Sequence, residues 1–196
     1  LKNRSVLFAH FTTFFFLAGH FTLYGFLTPF STTLLGFEGF MITMMYLLYG
    51  IAAVTGGGIG GFSSDRYGAE RTIITTTILL SGVLLLIPYT TKFLPLFFIA
   101  LLIWGVLSWV ITPPVQSFLI QVAPETSDIQ QSLNNAALHF GIAFGTLIGS
   151  LIIERFSVEQ NATFGSIIVL LSLLSIFLAI HHQRETTVKK RVLKNR

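Results

Sequence analysis

The sequence predicts an all-α integral membrane protein with six transmembrane helices. Hydrophobic residues make up 53% of its 196 residues and charged residues only 10%, whereas soluble domains carry about 25% charged residues. Six apolar segments are each long enough to span a bilayer as a helix. Backbone groups cannot face lipid unpaired, and these segments lack the alternation of barrel strands, which favours helices. The predicted spans are residues 5–33, 39–62, 72–91, 93–123, 130–153 and 161–181, and none contains Asp, Glu, Lys or Arg.

The distribution of Lys and Arg predicts the orientation of these helices. With the amino terminus in the cytoplasm, ten of the twelve Lys and Arg lie on the cytoplasmic side, and only Lys92 and Arg155 lie outside. Cytoplasmic loops carry an excess of basic residues, so both termini are expected in the cytoplasm of a cell-membrane protein. Six basic residues follow His182. The sequence therefore divides into a six-helix bundle, residues 1–183, and a basic cytoplasmic tail, residues 184–196.

The composition makes an enzyme the least expected class. The chain has no cysteine, which excludes disulfides and thiolate metal sites. No acidic residue lies in a span, so neither a carboxylate metal site nor an acid–base pair is available there. The single Ser-Gly pair, Ser81-Gly82, has Leu79 where a rhomboid-type intramembrane protease needs Gly. We expect no metal, no cofactor and no nucleic-acid partner, and the lipid bilayer is the immediate environment.

The segment 56–71, which covers the end of the second span and the turn before the third, switches abruptly from apolar to charged. Five glycines close the second span, and Asp65, Arg66 and Gly68 follow before a new apolar run. The pattern predicts a short surface turn, with the glycines allowing close helix contact. A phosphate-binding loop is excluded because no Gly-Lys-Ser/Thr is present.

A short internal repeat indicates two inverted three-helix units. Residues 60–67, Gly-Gly-Phe-Ser-Ser-Asp-Arg-Tyr, parallel residues 149–156, Gly-Ser-Leu-Ile-Ile-Glu-Arg-Phe, 89 residues later. The two copies follow the second and fifth spans and are expected on opposite sides of the membrane. Inverted repeats of this kind are a common plan in transporters.

The first and fourth spans carry candidate cavity residues together with prolines. His20 and Tyr24 are four residues apart and share a helix face, and Pro29 is expected to interrupt the same span. In the fourth span, Trp104 and Gln116 lie on one slowly rotating face, and Pro113-Pro114 predicts a bend. Polar residues within a span either line a cavity or pack against a neighbouring helix, and the sequence leaves both roles open.

The fifth span has a packing face and a polar face. Gly141, Gly145 and Gly149 recur every four residues and predict a close helix contact. Asn135 and His139 lie on a different face, since His139 and Gly141 are about 200° apart around the helix. A polar face in lipid is costly, so these two side chains are expected to line a water-filled path or a partner helix.

Together, these features resemble the carboxy-terminal half of a major facilitator superfamily transporter. More narrowly, they resemble bacterial permeases of the arabinose-efflux-like, purine-efflux and drug/proton antiporter group. The resemblance covers nearly the whole chain, up to the basic tail. Three stretches carry it: the loop motif Gly61, Asp65, Arg66, Gly68 and Arg71; Trp104-Gly105 with Pro114, Gln116 and Ala123-Pro124; and residues 131–149. In the family these correspond to the loop after helix eight, helix ten and helix eleven.

The resemblance implies secondary active transport by alternating access, in which two six-helix bundles rock about a central site. It further implies proton-coupled efflux of a small molecule such as a purine, sugar or drug. In the family, the acidic residue of the loop motif, here Asp65, helps to lock the cytoplasmic side against the opposite bundle. The plainer alternative is that Asp65 and Arg66 only fix the topology of a short loop.

The first six helices of the family have no counterpart in this sequence. The chain starts without Met, so we expect a piece of something longer, whose partner is an amino-terminal six-helix half. Two alternatives stay open: a half-size membrane protein that assembles with itself, and a transporter fragment without function.

Overall fold

The computed structural model describes residues 4–194, with side chains described as far as residue 185. Within that range every regular element is a helix, and six stretches are long and apolar enough to cross a membrane. The predicted all-α class with six spans is confirmed. The helices are α1 (Arg4–Tyr24), α2 (Leu27–Leu35), α3 (Phe40–Tyr67), α4 (Ala69–Thr90), α5 (Leu94–Val110), α6 (Thr112–Val122), α7 (Ser127–Arg155) and α8 (Gln160–Lys194), with a short 3₁₀ turn at Pro124–Thr126.

The helices reach beyond the predicted apolar spans at several ends. The backbone of α8 continues to Lys194, past the boundary drawn at residue 183, and that boundary stays a prediction. Lys2, which the orientation argument counted, and residues 195–196 lie outside the described residues. The extension has a simple cause: a helix pairs its own backbone groups whether its side chains face lipid or water.

The turn between α3 and α4 is a single residue, Gly68. Its φ is +89°, a left-handed region that a side chain makes unfavourable, and its N–H donates to the Ser64 carbonyl at 2.9 Å. The short turn predicted around Asp65 and Arg66 therefore lies at Gly68. The two charged residues belong to the last turn of α3.

Two spans are interrupted beside prolines. The sequence placed the interruption of the first span at Pro29, but the structure places it at Gly25 and Phe26, between α1 and α2. A proline has no N–H, and its ring clashes with the carbonyl four residues earlier, which is that of Gly25. In the fourth span, the break at Ile111 precedes Pro113-Pro114, as predicted. Each three-helix unit thus begins with a broken helix.

The first helix, α1, is the centre of the bundle. About two-thirds of its apolar window is buried, against 22% for α3 and for α7. It packs against α7 on one side and α8 on another, while α3 packs on α5, and α4 joins α5 to α8. The glycines of α7 make this closeness possible: Gly141, Gly145 and Gly149 lie against the carbonyl oxygens of Phe14, Ala18 and Thr22. Gly19 and Gly165 meet in the same way between α1 and α8.

We expect Gly145→Val to destabilise the protein strongly. A Cβ atom at residue 145 would meet the backbone of Ala18, with the carbonyl carbon at 2.8 Å, and backbone cannot move aside as a flexible side chain can. Overpacking of this kind typically costs about 1–3 kcal/mol. Thermal unfolding in detergent measures the loss. Ala143→Val, on an exposed part of the same helix, is the control, and equal melting temperatures for the two variants would contradict the packing model.

Candidate functional site

Five side chains from three helices meet in the interior and form what we call the His20 cluster: His20 and Tyr24 of α1, Tyr49 of α3, and Trp104 and Ser108 of α5. Four of the five are buried, His20 and Ser108 to 1% exposure. The indole of Trp104 lies edge-on to the imidazole, with ring centroids 5.6 Å apart. The cluster therefore joins the two parts of the bundle, α1 on one side and α3 with α5 on the other.

The hydrogen bonds of the cluster form a closed circuit. The indole N–H of Trp104 donates to His20 Nδ1 at 3.0 Å. An indole can only donate, so Nδ1 is an acceptor and a neutral imidazole carries its hydrogen on Nε2. That nitrogen lies 3.3 Å from the hydroxyl of Tyr49, which donates to Ser108 at 2.9 Å. Ser108 completes the circuit by donating to the carbonyl of Trp104 at 2.7 Å.

The open side of the cluster is lined by tyrosines. Tyr24 is half-buried and stacks on His20, with centroids 5.2 Å apart and planes 24° apart. It also tilts against Tyr49 at 4.7 Å. Beyond it, Tyr46 meets the edge of Tyr24, and its hydroxyl lies 3.0 Å from that of Thr28. The half-buried side of the cluster therefore consists of tyrosine rings, whereas the imidazole and indole form the buried base.

The cluster lies beside both helix breaks. His20 is midway along residues 4–35, and the break at Gly25 follows one turn later. Ser108 lies one turn before the break at Ile111. Transporters built from inverted repeats typically bind substrate near the membrane midplane, at interrupted helices in corresponding positions of the repeats. The His20 cluster lies beside two such interruptions.

A cavity of about 470 Å³ lies about one turn further along α3 and α5. Its walls include Gly57 of α3, together with Trp109, Thr112 and Pro113 around the second break. Gln116, the predicted candidate on this face, is half-buried one turn beyond Thr112. Trp109 also lines this cavity and is 37% exposed. It was not among the predicted candidates.

The predicted candidates on α7 lie apart from the cluster. Asn135 and His139 are exposed on the outer surface of this chain. The neighbouring Asn134 is buried instead, and its side-chain oxygen accepts from Thr13 at 2.7 Å. Asn134 lies seven residues before Gly141, on the face that packs on α1, and this spacing was the signal that could have identified it.

A second polar group thus joins the starts of α1 and α7. His10 lies 3.1 Å from the side-chain oxygen of Gln130 and 3.5 Å from that of Asn134. With Thr13, these residues satisfy one another in a buried contact. Among the described residues, no three His, Asp or Glu side chains come close enough to hold a metal ion.

The residues of the loop motif lie at the exposed end of α3 and the start of α4. Asp65, Arg66 and Arg71 are exposed, and the guanidinium of Arg66 lies 5.7 Å from the ring of Tyr67. Asp65 is four residues after Gly61, on the same helix face. Apart from its chain neighbours and the adjacent backbone of α3, no atom of the described residues lies within 4 Å of where a Cβ on Gly61 would stand. This face of α3 is therefore open within the six-helix bundle.

We expect Trp104→Phe to disrupt the His20 cluster, since it removes the indole donor and leaves only the Ser108 hydroxyl, 3.3 Å away, beside Nδ1. Loss of one hydrogen bond costs about 0.5–1.5 kcal/mol. Thermal unfolding measures the loss, and ¹⁵N NMR of His20 reports whether Nδ1 is still the unprotonated ring nitrogen. Trp109→Phe is the matched control because Trp109 has no part in the circuit. Unchanged stability and an unchanged His20 spectrum in Trp104→Phe would refute the proposed circuit.

Comparison with known proteins agrees with this architecture. Residues 6–195 match the family model described as Major Facilitator Superfamily. The chain is 27% identical to the MFS-type transporter YbcL of Bacillus subtilis, over 96% of this chain and 48% of that protein. It is 28% identical to the inner membrane transport protein YdhP of Escherichia coli, over 95% of this chain and 48% of that protein. A Helicobacter pylori protein named "Probable sugar efflux transporter" is 28% identical over 80% of this chain and 40% of its own length. The chain spans about half the length of the curated relatives it matches.

Proposed function

The chain belongs to the major facilitator superfamily, and we propose that it forms the carboxy-terminal half of a secondary transporter that exports small molecules. The observation that carries the proposal is the His20 cluster, an aromatic and polar site beside two proline-broken helices. In the proposed orientation both termini are cytoplasmic in the cell membrane, as the distribution of Lys and Arg favours. The missing amino-terminal half would supply the opposite wall of the site.

The tyrosine rim favours a ring-shaped substrate. Ring solutes can pack a flat face on an aromatic side chain while a phenol hydroxyl bonds their polar edge. In this proposal the half-buried rings of Tyr24 and Tyr46 supply the flat faces, and the paired hydroxyls of Tyr46 and Thr28 bond the polar edge. Sugars, purines and planar drugs all fit this chemistry, and the name of the Helicobacter pylori relative, "Probable sugar efflux transporter", supports sugars among them.

We propose that a contact between Asp65 and the missing half controls alternating access. Asp65 and Gly61 lie on an open face of α3, where a second bundle could approach closely. A carboxylate at the amino end of a helix is stabilised by the helix dipole. Such a contact would hold the cytoplasmic side closed and release it when the bundles rock.

We place proton coupling in the missing half. The predicted spans contain no carboxylate. The ring nitrogens of His20 are occupied by Trp104 and Tyr49, so a second proton on Nδ1 would break the bond from the indole. His20 therefore acts in this proposal as a fixed acceptor that positions Trp104.

The test is transport into vesicles with an imposed pH gradient and a panel of sugars, purines and cationic dyes. The chain is measured alone and together with an amino-terminal six-helix half taken from one of its relatives. We expect gradient-driven flux only with the partner half. Flux from the chain alone would contradict the half-transporter model and favour a six-helix protein that assembles with itself.

In the active pair, we expect Asp65→Asn to weaken the closed cytoplasmic state by about tenfold. The reason is the loss of a charge–dipole contact worth up to about 1–2 kcal/mol. Labelling accessibility of the cytoplasmic side measures the state directly. Glu154→Gln, which changes an exposed carboxylate in the last turn of α7, the corresponding helix of the second unit, is the control. If both variants label alike, Asp65 has no part in closing the cytoplasmic side.

We further expect Tyr24→Ala to raise the transport KM by about two- to tenfold, because a stacked ring contributes about 0.5–1.5 kcal/mol. Tyr89→Ala removes an equal ring at the exposed end of α4, where the tyrosine is 70% exposed. Concentration-dependent flux distinguishes them. An unchanged KM in Tyr24→Ala would contradict a substrate site at the His20 cluster.

A further inference from the structure

A groove with a volume of about 420 Å³ opens on the side of the bundle where α3 and α4 diverge from Gly68. Its two walls are rows of side chains at four-residue spacing, so each row lies along one helix face. Tyr67, Ser63 and Ile59 line the α3 wall, and Arg71, Thr75 and Leu79 line the α4 wall. Its floor is formed by aliphatic residues of α5, Val106, Leu107 and Val110.

The chemistry of the groove changes steadily along its length. The two walls run antiparallel, so Tyr67 and Arg71 share the end beside Gly68. The hydroxyls of Ser63 and Thr75 come next, about one turn further in, and Ile59 and Leu79 follow. The order is a cation with a phenol, then hydroxyls, then hydrocarbon. A membrane lipid presents its groups in the same order from headgroup to acyl chain.

The charges around the mouth favour an anionic headgroup. Arg71 has no carboxylate within 4 Å among the described residues, whereas the adjacent Glu70 is occupied by Arg184 at 3.5 Å. Asp65 lies two residues from Tyr67 and from Ser63, about 200° away around α3 and on the opposite side from the groove. Arg66 extends over the ring of Tyr67 and adds a second cation near the mouth.

We propose that this groove binds one anionic phospholipid. Its phosphate would pair with Arg71, its glycerol oxygens would reach Ser63 and Thr75, and one acyl chain would lie along Leu79 over the floor of α5. Basic pockets between transmembrane helices, on the side rich in Lys and Arg, bind anionic headgroups in this manner. The site stands apart from the His20 cluster and does not depend on the proposed transport activity.

The groove also stays accessible when α3 is covered on its other flank. The open glycine face that ends at Asp65 is turned away from the groove-lining row of Tyr67, Ser63 and Ile59. A second bundle bound to that face would leave the α3–α4 groove facing the lipid.

Lipid binding to the purified, delipidated full chain tests the proposal. Native mass spectrometry counts bound phosphatidylglycerol and phosphatidylcholine with identical acyl chains. We expect one tightly held phosphatidylglycerol, weaker binding of phosphatidylcholine, and an affinity about fivefold lower in Arg71→Gln, since one cation near a headgroup contributes about 1 kcal/mol. Arg155→Gln, which removes an exposed cation at the far end of α7, should bind like the unmodified chain.

The absence of cysteine allows the acyl chain to be located as well. A fluorophore is attached to Leu79→Cys in the groove or to Leu174→Cys, an exposed site on α8. Phosphatidylglycerol with a spin-labelled acyl chain should quench the fluorophore at residue 79 at a lower lipid concentration than the one at residue 174. Equal quenching at both sites, equal affinity for the two lipids, or full affinity in Arg71→Gln would each overturn the proposal. The comparison of two lipids on the unmodified chain does not depend on any variant folding.

Discussion

The close backbone contact of α1 with α7 and α8 is the constraint on which the rest of the bundle depends. Hydrophobic burial does not drive helices together in lipid, so association depends on packing, and packing of backbones requires small residues. Glycines at residues 141, 145 and 149 allow the backbones of α1 and α7 to pack closely, and the Gly19–Gly165 contact does the same for α1 and α8. With α1 fixed in this way, one face of the helix remains for His20 and Tyr24, and that face meets α3 and α5.

Glycines also allow close backbone packing where α3 meets α5. Gly56 and Gly60 lie against the carbonyls of Val106 and Val110. Val110 is four residues before Pro114, which has no N–H to give, so this carbonyl loses its partner within the helix. The backbone of Gly60 lies where the carbonyl is free, and contacts between Cα–H and carbonyl oxygen are weakly favourable at helix interfaces. The break that shapes the cavity is thereby accommodated without a polar side chain.

The sequence was sufficient for the number and type of the helices but not for their rotation. Apolar length identifies a span whatever its neighbours are, which is why all six spans were predicted. Which residue faces inward depends on the partner helix, and one position along the chain turns a side chain by about 100°. Asn134 is buried against α1, whereas Asn135, predicted to line a water-filled path or a partner helix, is exposed on this chain, and its role stays a prediction. His20 and Trp104 were both selected, but their contact joins residues 84 apart. Tyr49 completes that contact and was missed as a site residue, because no pattern within α3 distinguishes it from a packing tyrosine.

The central place of α1 also affects how the chain can be made. Ribosomes deliver the amino-terminal end first, so α1 enters the membrane before the two helices that cover it have been synthesised. Until α8 emerges, the face of α1 that carries Gly19 lacks the backbone of Gly165 against which it packs. The contacts between α1 and α8 close a loop of more than a hundred residues. The packing of α1 is therefore completed only when α8 has been synthesised, and a chain shortened before α8 would leave one side of α1 uncovered.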